Sequence, residues 1–355
     1  MHIAINTTPL ESGHRNRGVG QYTKLLIGAL QKYENTHSYS FFTRGQKVPK
    51  NTDIVHYPYF DPFFLTLPLF KSKPTVVTVH DLITVKYADH FAKGIRGELK
   101  WQIQKASLFG VARIITDSNA SKADIQEIVG YKEERVDVVH LAPSPVFRPL
   151  QDKVTLERVK KTYNLPEQFV LYVGDVNWNK NVQGLVKAFD MLTKTVFVKR
   201  LSLKAVFVGK AFVNTKLQEA REIHQLIKLL NLDTEILRVG FVPDEDLVAF
   251  YNLASVYVQP SFAEGFGFPV LEAMTCGCPA VVSRGTSLDE IAGPSIRIDP
   301  NDSSSIAEGI LRVLNLTHAE RENLLAEGYT WVKRFSWQRT AKETVASYEK
   351  ILEQI

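Results

Sequence analysis

Residues 256–274 read VYVQPSFAEGFGFPVLEAM, and this stretch passes from an apolar strand pattern through a glycine bend into a helix pattern. The strand is predicted over Val256–Ser261, because its β-branched and aromatic residues favour extended backbone. Gly265 and Gly267 predict a tight turn, and Pro269 suits the first position of a helix. A strand that leads through such a turn into a helix is the building unit of parallel α/β sheets.

The alternation of strand and helix patterns continues on both sides of this stretch. Short β-branched runs lie at His2–Thr8, Val76–Asp81, Ile114–Ser118, Val136–Leu141, Phe169–Asp175, Leu203–Gly209 and Pro279–Ser283. Longer amphipathic segments lie at Gln21–Tyr33, Ile95–Val111, Leu185–Leu192, Leu217–Leu230 and Asp246–Leu253. Strands without polar alternation indicate parallel sheets that are covered by helices on both faces. The predicted fold class is therefore α/β.

Prolines break this pattern between Ala142 and Asp152. The break predicts a linker between two Rossmann-like domains, over residues 1–150 and 151–335. The last segment, residues 336–355, contains one amphipathic helix, predicted over Trp337–Leu352. Doubly wound sheets bind ligands at the carboxyl ends of their strands, so we expect the two parallel sheets to face an interdomain cleft that holds the site.

Composition excludes several classes of protein. The 355 residues are 45% hydrophobic and 23% charged, which is typical of a globular domain with a core and excludes disorder or a disulfide scaffold. The two cysteines, Cys276 and Cys278, match no common zinc spacing and predict small buried side chains in a reducing compartment. Residues 1–6 turn polar too early for a signal peptide, and residues 57–70 are too short to span a bilayer. We expect a cytoplasmic protein, with peripheral contact at the inner face of a membrane left open.

Charge is distributed unevenly along the chain. Residues 1–113 hold 15 lysines and arginines against 7 acidic residues, whereas residues 114–355 hold 28 against 31. A basic first part fits an anionic partner such as a lipid headgroup, a phosphorylated acceptor or nucleic acid, and equally fits a solvated surface. The aromatic stretch over residues 57–70, predicted as a loop packed on the first domain, is followed by Lys71 and Lys73. Apolar area next to positive charge is what contact with an anionic membrane requires.

Polar or glycine residues recur where the predicted strands end. These positions are Asn6, His80-Asp81, Asp117-Ser118, Gly174-Asp175, Gly209-Lys210, Gly240-Phe241 and Pro260-Ser261. Beyond the last of them, the start of the predicted helix offers unpaired backbone N–H groups and a positive dipole end, which together form an anion site. Glu264 lies in the loop before that helix, where its carboxylate can accept hydrogen bonds from hydroxyl groups. Glu272 is expected in the first helical turn, where it either binds a second pair of hydroxyls or complements the helix dipole.

The spacing of these two glutamates resembles a known motif. Glu264 and Glu272, with seven residues between them and GFGFP inside, resemble the Glu-x7-Glu motif of retaining glycosyltransferase family 4, which has the GT-B fold. Further stretches agree with that family in order and spacing: RGVGQY at 17–22, TVHDL at 78–82, the segment from Val173-Gly174 to Lys180-Asn181, MTCGCP at 274–279 and FSW at 335–337. The resemblance covers nearly the whole chain. It implies that the helix after residue 335 crosses back to the first domain.

The resemblance also implies roles for individual residues. Glu264 would bind hydroxyls of the donor sugar and Glu272 the ribose of its nucleotide, while Lys180 would neutralise charge on the departing phosphate. The catalytic set is His80, Lys180 and Glu264, and the donor-binding set is Gly18, Gly20, Lys180, Phe266, Gly267, Phe268, Val270 and Glu272. His80 would position the reacting sugars and stabilise charge.

Read without the resemblance, the same residues have plainer interpretations. A lysine beside asparagines is typical of a solvated surface. A lone histidine is usually structural, with Asp81 as a ready hydrogen-bond partner. Gly18 and Gly20, just before the predicted helix start at Gln21, fit an ordinary turn as well as a close approach to phosphate.

One departure from the family pattern concerns the phosphate cations. Many members carry an arginine near the start of the lysine segment, and residues 174–180 read GDVNWNK, without one. Either Lys180 acts with the helix dipole alone, or Lys210 or Arg284 supplies the second positive charge. We find no Asp-x-Asp pair at a predicted site and expect no metal ion; the nucleotide sugar is a co-substrate, and no further cofactor is expected.

The function expected from the resemblance is retaining, metal-independent transfer of a sugar from a nucleotide diphosphate sugar to a hydroxyl of a glycan or lipid-linked acceptor, with no nucleic acid as partner. The stretch at 79–82, VHDL, resembles mannosyltransferases that make surface polysaccharides, so GDP-mannose is the first donor expected, with UDP- and ADP-sugars as alternatives. A non-catalytic glycan-binding or partner subunit is the alternative of another class. A nicotinamide oxidoreductase is excluded, because Gly18-Val19-Gly20 lacks the third glycine of that fingerprint.

Overall fold

The computed structural model describes residues 1–11, 18–214 and 216–353. The chain divides into two compact units, Met1–Ala142 with Phe335–Ile355, and Pro143–Arg334. The division falls after Ala142 and not at the expected residue 150. The reason is that the proline-rich segment packs on the second unit: Leu150 donates its N–H to Asn252 Oδ1 at 2.7 Å, and the ring of Phe147 lies 5.7 Å from that of Tyr251.

Strands and helices alternate in both units. The strands are β1 (His2–Asn6), β2 (Ser38–Phe42), β3 (Ile54–Tyr57), β4 (Thr75–Thr78), β5 (Arg113–Thr116), β6 (Val136–Val138), β7 (Phe169–Val173), β8 (Lys204–Val208), β9 (Ile236–Val239), β10 (Val256–Gln259), β11 (Ala280–Ser283) and β12 (Ile296–Ile298). The α-helices are α1 (Thr8–Glu11), α2 (Gly18–Tyr33), α3 (Ile83–Lys86), α4 (Gly94–Phe109), α5 (Asn119–Val129), α6 (Lys153–Thr162), α7 (Val182–Thr193), α8 (Val196–Leu201), α9 (Gln218–Leu229), α10 (Asp244–Leu253), α11 (Phe268–Thr275), α12 (Leu288–Ile291), α13 (Ser303–Leu314), α14 (His318–Val332) and α15 (Trp337–Leu352).

The sheet of the first unit is parallel, in the order β2-β1-β3-β4-β5-β6. Its central strands are buried on both faces: Ile3, Val76, Val77 and Ile114 have no exposed surface. Because β4 and β5 are neighbours, the residues that follow them, including His80 and the acidic residues beyond β5, emerge side by side at one edge of the sheet.

The sheet of the second unit is also parallel, in the order β12-β11-β10-β7-β8-β9. Counted from β7 as the first strand, this is the doubly wound order 3-2-1-4-5-6. The winding reverses between β7 and β10, and ligands of such sheets bind beyond the strand ends at that reversal. The loops after β7 and β10, which carry Lys180 and Glu264, therefore start side by side.

The α/β class and the parallel sheets predicted from the sequence are confirmed. The predicted strand set lacks β2, β3 and β12, and it contains β9 only through the strand end at Gly240-Phe241. The residues of β2 alternate little and are mostly part-exposed at the sheet edge, and β3 is only four residues long with a histidine at its third position. The predicted loop after β3 packs on the first unit, where Phe60 and Leu67 join a buried cluster with Trp101.

A buried polar chain joins the last helix to the sheet of the first unit. The Tyr348 hydroxyl, on α15, lies 2.7 Å from His56 Nδ1 on β3, and His56 Nε2 lies 2.9 Å from Thr78 Oγ1 on β4. Burial, together with the smaller effect of the charge of His80, lowers the pKa of His56 to about 3, so the ring is neutral. Satisfied buried polar chains of this kind fix one arrangement of the elements that they join.

Candidate active site

The loops after β7 and β10 are joined by backbone and side-chain hydrogen bonds. Phe262 donates its N–H to the Asn179 carbonyl at 2.8 Å, and the Asn179 side chain donates to the Ala263 carbonyl at 3.0 Å. The rings of Trp178 and Phe262 stack across the same junction, with centroids 5.0 Å apart. These contacts fix the distance between the two loops.

Lys180 and Glu264 face each other across this junction. Lys180 Nζ donates to both carboxylate oxygens of Glu264, at 2.9 and 2.8 Å. Glu264 Oε1 also accepts hydrogen bonds from Gln259 Nε2 at 2.8 Å and from Ser261 Oγ at 2.6 Å. The Glu264 side chain is only 6% exposed and that of Lys180 is 26% exposed. A buried carboxylate with this many donors is held in place as an anion, next to a cation that still reaches solvent.

The asparagines beside Lys180 are structural. Asn181 has a left-handed backbone (φ 52°), and its side-chain oxygen accepts from the Gly184 N–H at 3.2 Å, which caps α7. Its Nδ2 donates to the carbonyls of Pro260 at 3.0 Å and Pro300 at 2.7 Å. The interpretation of Lys180 as a solvated surface lysine is therefore wrong. No role for the asparagines is predicted from the sequence, although their position in the loop after a predicted strand end is a signal for one.

Gly267 sets the start of α11. Its φ of +116° is one that L side chains rarely adopt, and an added Cβ would lie 2.5 Å from Leu288 Cδ2. The helix begins at Phe268, one residue before the predicted start, so that Pro269 is its second residue. Backbone and packing together require glycine at the turn from which the helix N-terminus projects.

The remaining residues of this turn contribute little side-chain surface. Phe266 and Val270 are buried, and the Val270 N–H donates to the Gly267 carbonyl at 3.2 Å. Phe268 is partly buried, with its ring edge-on to Phe266 at 5.4 Å. Any contact of Phe266 or Val270 with a donor would therefore use the backbone of the turn.

Glu272 is the fifth residue of α11 and lies beyond its first turn, so the sequence-based placement in the first turn is wrong. The Tyr251 hydroxyl, on α10, donates to Glu272 Oε2 at 2.8 Å. The pKa of Glu272 is raised to about 8: burial is the main cause and the charge of Asp244 adds to it, while the Tyr251 hydrogen bond opposes both. The position of Glu272 beyond the first turn and its burial both argue against the interpretation that it only complements the dipole of α11. A carboxyl group held this way is fitted to accept hydroxyl hydrogen bonds.

The two candidates for a second cation, Lys210 and Arg284, follow the strands on either side of the pair β7 and β10, between which the winding reverses. Lys210 follows β8, the neighbour of β7, and its Nζ lies 4.7 Å from the centre of the Phe241 ring. Arg284 follows β11, the neighbour of β10, and is exposed. Among the described residues, no group of three or more His, Cys, Asp or Glu side chains is arranged to hold a metal ion.

In the first unit, the partner of His80 is Asp117. His80 Nδ1 donates to Asp117 Oδ2 at 2.6 Å, and both side chains are nearly buried. The sequence-based suggestion of Asp81 as partner is wrong: Asp81 Oδ1 accepts from the Ile83 N–H at 3.0 Å, at the start of α3. Asp117 comes close because β4 and β5 pair in parallel. The sequence pattern identifies Asp117 as a strand-end residue, but it does not specify that β4 and β5 are neighbours in the sheet.

Surrounding groups orient His80 and favour its protonated form. Burial alone would lower its pKa, but the charge and hydrogen bond of Asp117, together with the charge of Asp81, outweigh it and raise the pKa of His80. The ring of Tyr22 stands edge-on at 4.6 Å, and the Tyr22 hydroxyl lies 3.0 Å from Thr78 Oγ1. The histidine is thus held between an anion and an aromatic ring.

Gly18 and Gly20 lie inside the first turn of α2, which begins at Gly18 and not near Gln21 as expected. Gly18 is exposed, with open space around the position of an added Cβ, whereas Gly20 is buried. Arg17, the first residue of the motif that contains them, lies outside the described residues.

Replacing Asp117 with asparagine is expected to lower the pKa of His80 and to lower the free energy of unfolding by about 1 kcal/mol at pH 6, because a charge-assisted hydrogen bond becomes a neutral one. A raised histidine pKa stabilises the fold fully below the unfolded value of 6.5, and this contribution is lost as the pH rises through the raised pKa. The difference between the variant and the wild type should therefore shrink at alkaline pH. Urea unfolding at several pH values and an NMR titration of His80 measure both effects; an unchanged His80 midpoint in the variant would contradict the assignment.

Both units are doubly wound. The second carries a lysine–glutamate pair and a helix N-terminus at the point where its winding reverses. These features define the class of an α/β nucleotide-binding protein. Residues 154–331 match the family model for glycosyl transferases group 1, and residues 13–142 match that for glycosyltransferase family 4. This protein belongs to the family of glycosyl transferases group 1. A family 4-like glycosyltransferase, as inferred from the Glu-x7-Glu motif, and glycosyltransferase as the class of enzyme are thereby confirmed, while retention of configuration stays a prediction.

Individual relatives are similar to this protein in sequence and in structure. O-antigen chain mannosyltransferase B of Escherichia coli is 30% identical over 298 residues, which cover 84% of this chain and 75% of that protein. Serotype-specific mannosyltransferase WbdA of Escherichia coli is 28% identical over 285 residues, 79% of this chain, and the match spans 34% of that longer relative. The structure of sucrose-phosphate synthase from Thermosynechococcus elongatus superposes with a TM-score of 0.77 at 20% identity over the whole of both chains. The GT-B fold is confirmed.

Proposed function

We propose that this protein transfers mannose from GDP-mannose to a hydroxyl of a glycan or lipid-linked acceptor, with retention of configuration and without a metal ion. One observation carries the proposal. Lys180 and Glu264 lie 2.8 Å apart at the reversal point of the second sheet, next to the start of α11. The cation suits a phosphate, the carboxylate suits sugar hydroxyls, and a helix N-terminus suits a diphosphate.

The choice of mannose rests on two relatives and one motif. The mannosyltransferases from Escherichia coli are named for that sugar, and residues 79–82 resemble the same group of enzymes. Because this protein spans only part of WbdA, the sugar and the acceptor belong to the proposal and not to the family assignment. UDP- and ADP-sugars remain the alternative donors to be tested.

The proposed step exchanges one bond at the anomeric carbon. The bond from that carbon to the β-phosphate oxygen breaks, and the acceptor oxygen forms its bond on the same face. The acceptor proton passes to the departing phosphate, so GDP leaves with the electron pair and the proton. Lys180 stabilises the charge that grows on this phosphate, and Glu264 and Glu272 hold hydroxyls of the sugar and the ribose. The first unit binds the acceptor, with His80 as a positioning group.

A thermal-shift panel tests the donor. GDP, UDP, ADP and their sugars are compared, and GDP-mannose is expected to give the largest rise in melting temperature, because a ligand at a hundredfold excess over its Kd stabilises by about 2.7 kcal/mol. GDP without the sugar should give a smaller rise, since it leaves Glu264 without a new partner. A response to UDP-sugars alone would replace the donor, and no response to any nucleotide would contradict the proposal.

The stereochemistry and the metal requirement have their own tests. Proton NMR of the product formed from GDP-mannose is expected to show the same anomeric configuration as the donor. Turnover is expected to be unchanged after treatment with EDTA. An inverted product, or activity that is lost with EDTA and restored by Mg²⁺, would contradict the corresponding part of the proposal. Glu264→Ala should abolish turnover; unchanged product formation in this variant would remove the motif from the mechanism.

A further inference from the structure

Helix α4 of the first unit is apolar on the side that faces away from its core. Ile95, Leu99 and Ile103 recur at every fourth residue and are exposed, with Ile95 92% exposed, whereas Trp101 and Leu108 on the inner side are buried. Residues four apart lie on one face of a helix, so the three form a stripe. In the described part of the chain, no helix combines the length and the hydropathy that crossing a bilayer requires.

The loop between β3 and β4 lies alongside this helix. Gln104 of α4 accepts hydrogen bonds from the N–H groups of Thr66 and Leu67, each at 3.0 Å, and donates to the Leu67 carbonyl at 2.9 Å. Lys100 Nζ lies 5.2 Å from the ring centre of Phe64. The loop is thus fixed against the helix by a buried side chain.

The same loop exposes apolar side chains of its own, of which Phe70 is 88% exposed. These loop residues and the stripe on α4, the helix against which the loop is packed, are together called here the apolar face: Phe64, Leu69, Phe70, Ile95, Leu99 and Ile103. Single exposed apolar residues are common on proteins, but clustered aromatic and aliphatic side chains mark a contact surface.

Positive charge surrounds the apolar face. Arg96 and Lys100 lie on the same helix, and Lys73 follows the loop. Glu98, the acidic residue of α4, is paired with Lys93 at 2.6 Å and so adds no net negative charge there. This agrees with the basic excess of residues 1–113.

We propose that the apolar face seats the first unit on an anionic lipid bilayer. The aromatic and aliphatic side chains enter the boundary between headgroups and acyl chains, and the basic side chains meet lipid phosphates. The combination of apolar area and positive charge favours a membrane over a second copy of this basic unit, which like charge would repel. The sequence expectation of lipid contact at residues 57–70 is thereby extended to α4.

Vesicle flotation with the full chain tests this proposal. Binding is expected for phosphatidylcholine vesicles that contain phosphatidylglycerol, to be weak without it, and to fall with rising salt. The double variant Ile95→Asp/Phe70→Asp should lower the vesicle partition coefficient at least about tenfold, because two apolar side chains no longer insert. Arg96→Gln and Lys100→Gln should each lower it about fivefold.

The matched control is Val154→Asp/Leu229→Asp, which places the same charges at two exposed aliphatic positions of the second unit. It should bind vesicles as the wild type does, and both double variants should melt like the wild type. Failure of the wild type to bind, or equal losses in both double variants, would overturn the proposal. Light scattering that shows a dimer dispersed by Ile95→Asp/Phe70→Asp would assign the apolar face to a second copy instead. Turnover of a water-soluble acceptor should not change, which separates this result from a failure of the proposed reaction.

Discussion

Replacing Lys180 with methionine is expected to lower kcat by about a thousandfold. The methionine fills a similar volume but carries no charge, so nothing at that position stabilises the departing phosphate. Removal of one well-placed group that stabilises developing charge costs about 10² to 10³ in rate. No arginine precedes Lys180 in its segment, which places the effect at the upper end of that range. Steady-state kinetics with the donor identified by the thermal-shift panel measures it.

The control for this variant is Lys194→Met. Lys194 pairs with Asp190 on the exposed side of α7, and its side chain is 70% exposed. Its loss should leave kcat and KM within twofold of the wild type, as is usual for a surface ion pair. If Lys180→Met kept more than a tenth of the wild-type kcat, the leaving-group role would pass to another cation, and Lys210→Met and Arg284→Met would be the next variants.

Replacing Gly267 with alanine is expected to lower the free energy of unfolding of the second unit by about 2 to 6 kcal/mol. The methyl group adds backbone strain at φ +116° and overlap with Leu288, each worth about 1 to 3 kcal/mol. Either the buried Leu288 side chain or the start of α11 must shift to relieve the overlap, and donor affinity falls to the extent that α11 shifts. Calorimetric unfolding measures the first effect and the donor thermal shift the second.

Gly285→Ala separates strain from overlap. Gly285 also has a positive φ, +77°, but nothing lies within 4 Å of an added Cβ. This variant should lose only about 1 kcal/mol, the cost of the backbone conformation. If Gly267→Ala and Gly285→Ala lost the same free energy of unfolding, overlap with Leu288 would contribute nothing to the cost at residue 267.

Local patterns predict α2, α4, α7, α9, α10 and α15 and most of the strands. They miss the central strand β3, and they miss helix α13 although its buried residues lie on one face. Helix α15 is predicted to the residue, because Ser336 caps its start and its apolar residues form a clear stripe. Helix α14 is absent from the prediction, since its apolar residues do not gather on one face. Strand β2 is missed for a related reason: at the sheet edge, its side chains are not buried on both faces.

The candidate site is also predicted only in part, because residues close together in the sequence are found and their partners from distant elements are not. Glu264 and Glu272 are found because one loop and one helix carry both, at a fixed spacing. The partners of the site residues are not found, since they come from other elements: Asp117 reaches His80 through the pairing of two strands, and Tyr251 reaches Glu272 from α10. Contacts between distant parts of the chain follow from topology, which residue patterns do not specify.

The bidentate contact between Lys180 and Glu264 has a consequence for selectivity. Each charge of the pair already satisfies the other, so a bare inorganic anion that draws the lysine away leaves a nearly buried carboxylate short of its cation. A molecule that brings hydroxyls as well as phosphate compensates both halves at once. If the pair binds the donor as proposed, it therefore disfavours free phosphate and other polyanions relative to the intact sugar nucleotide.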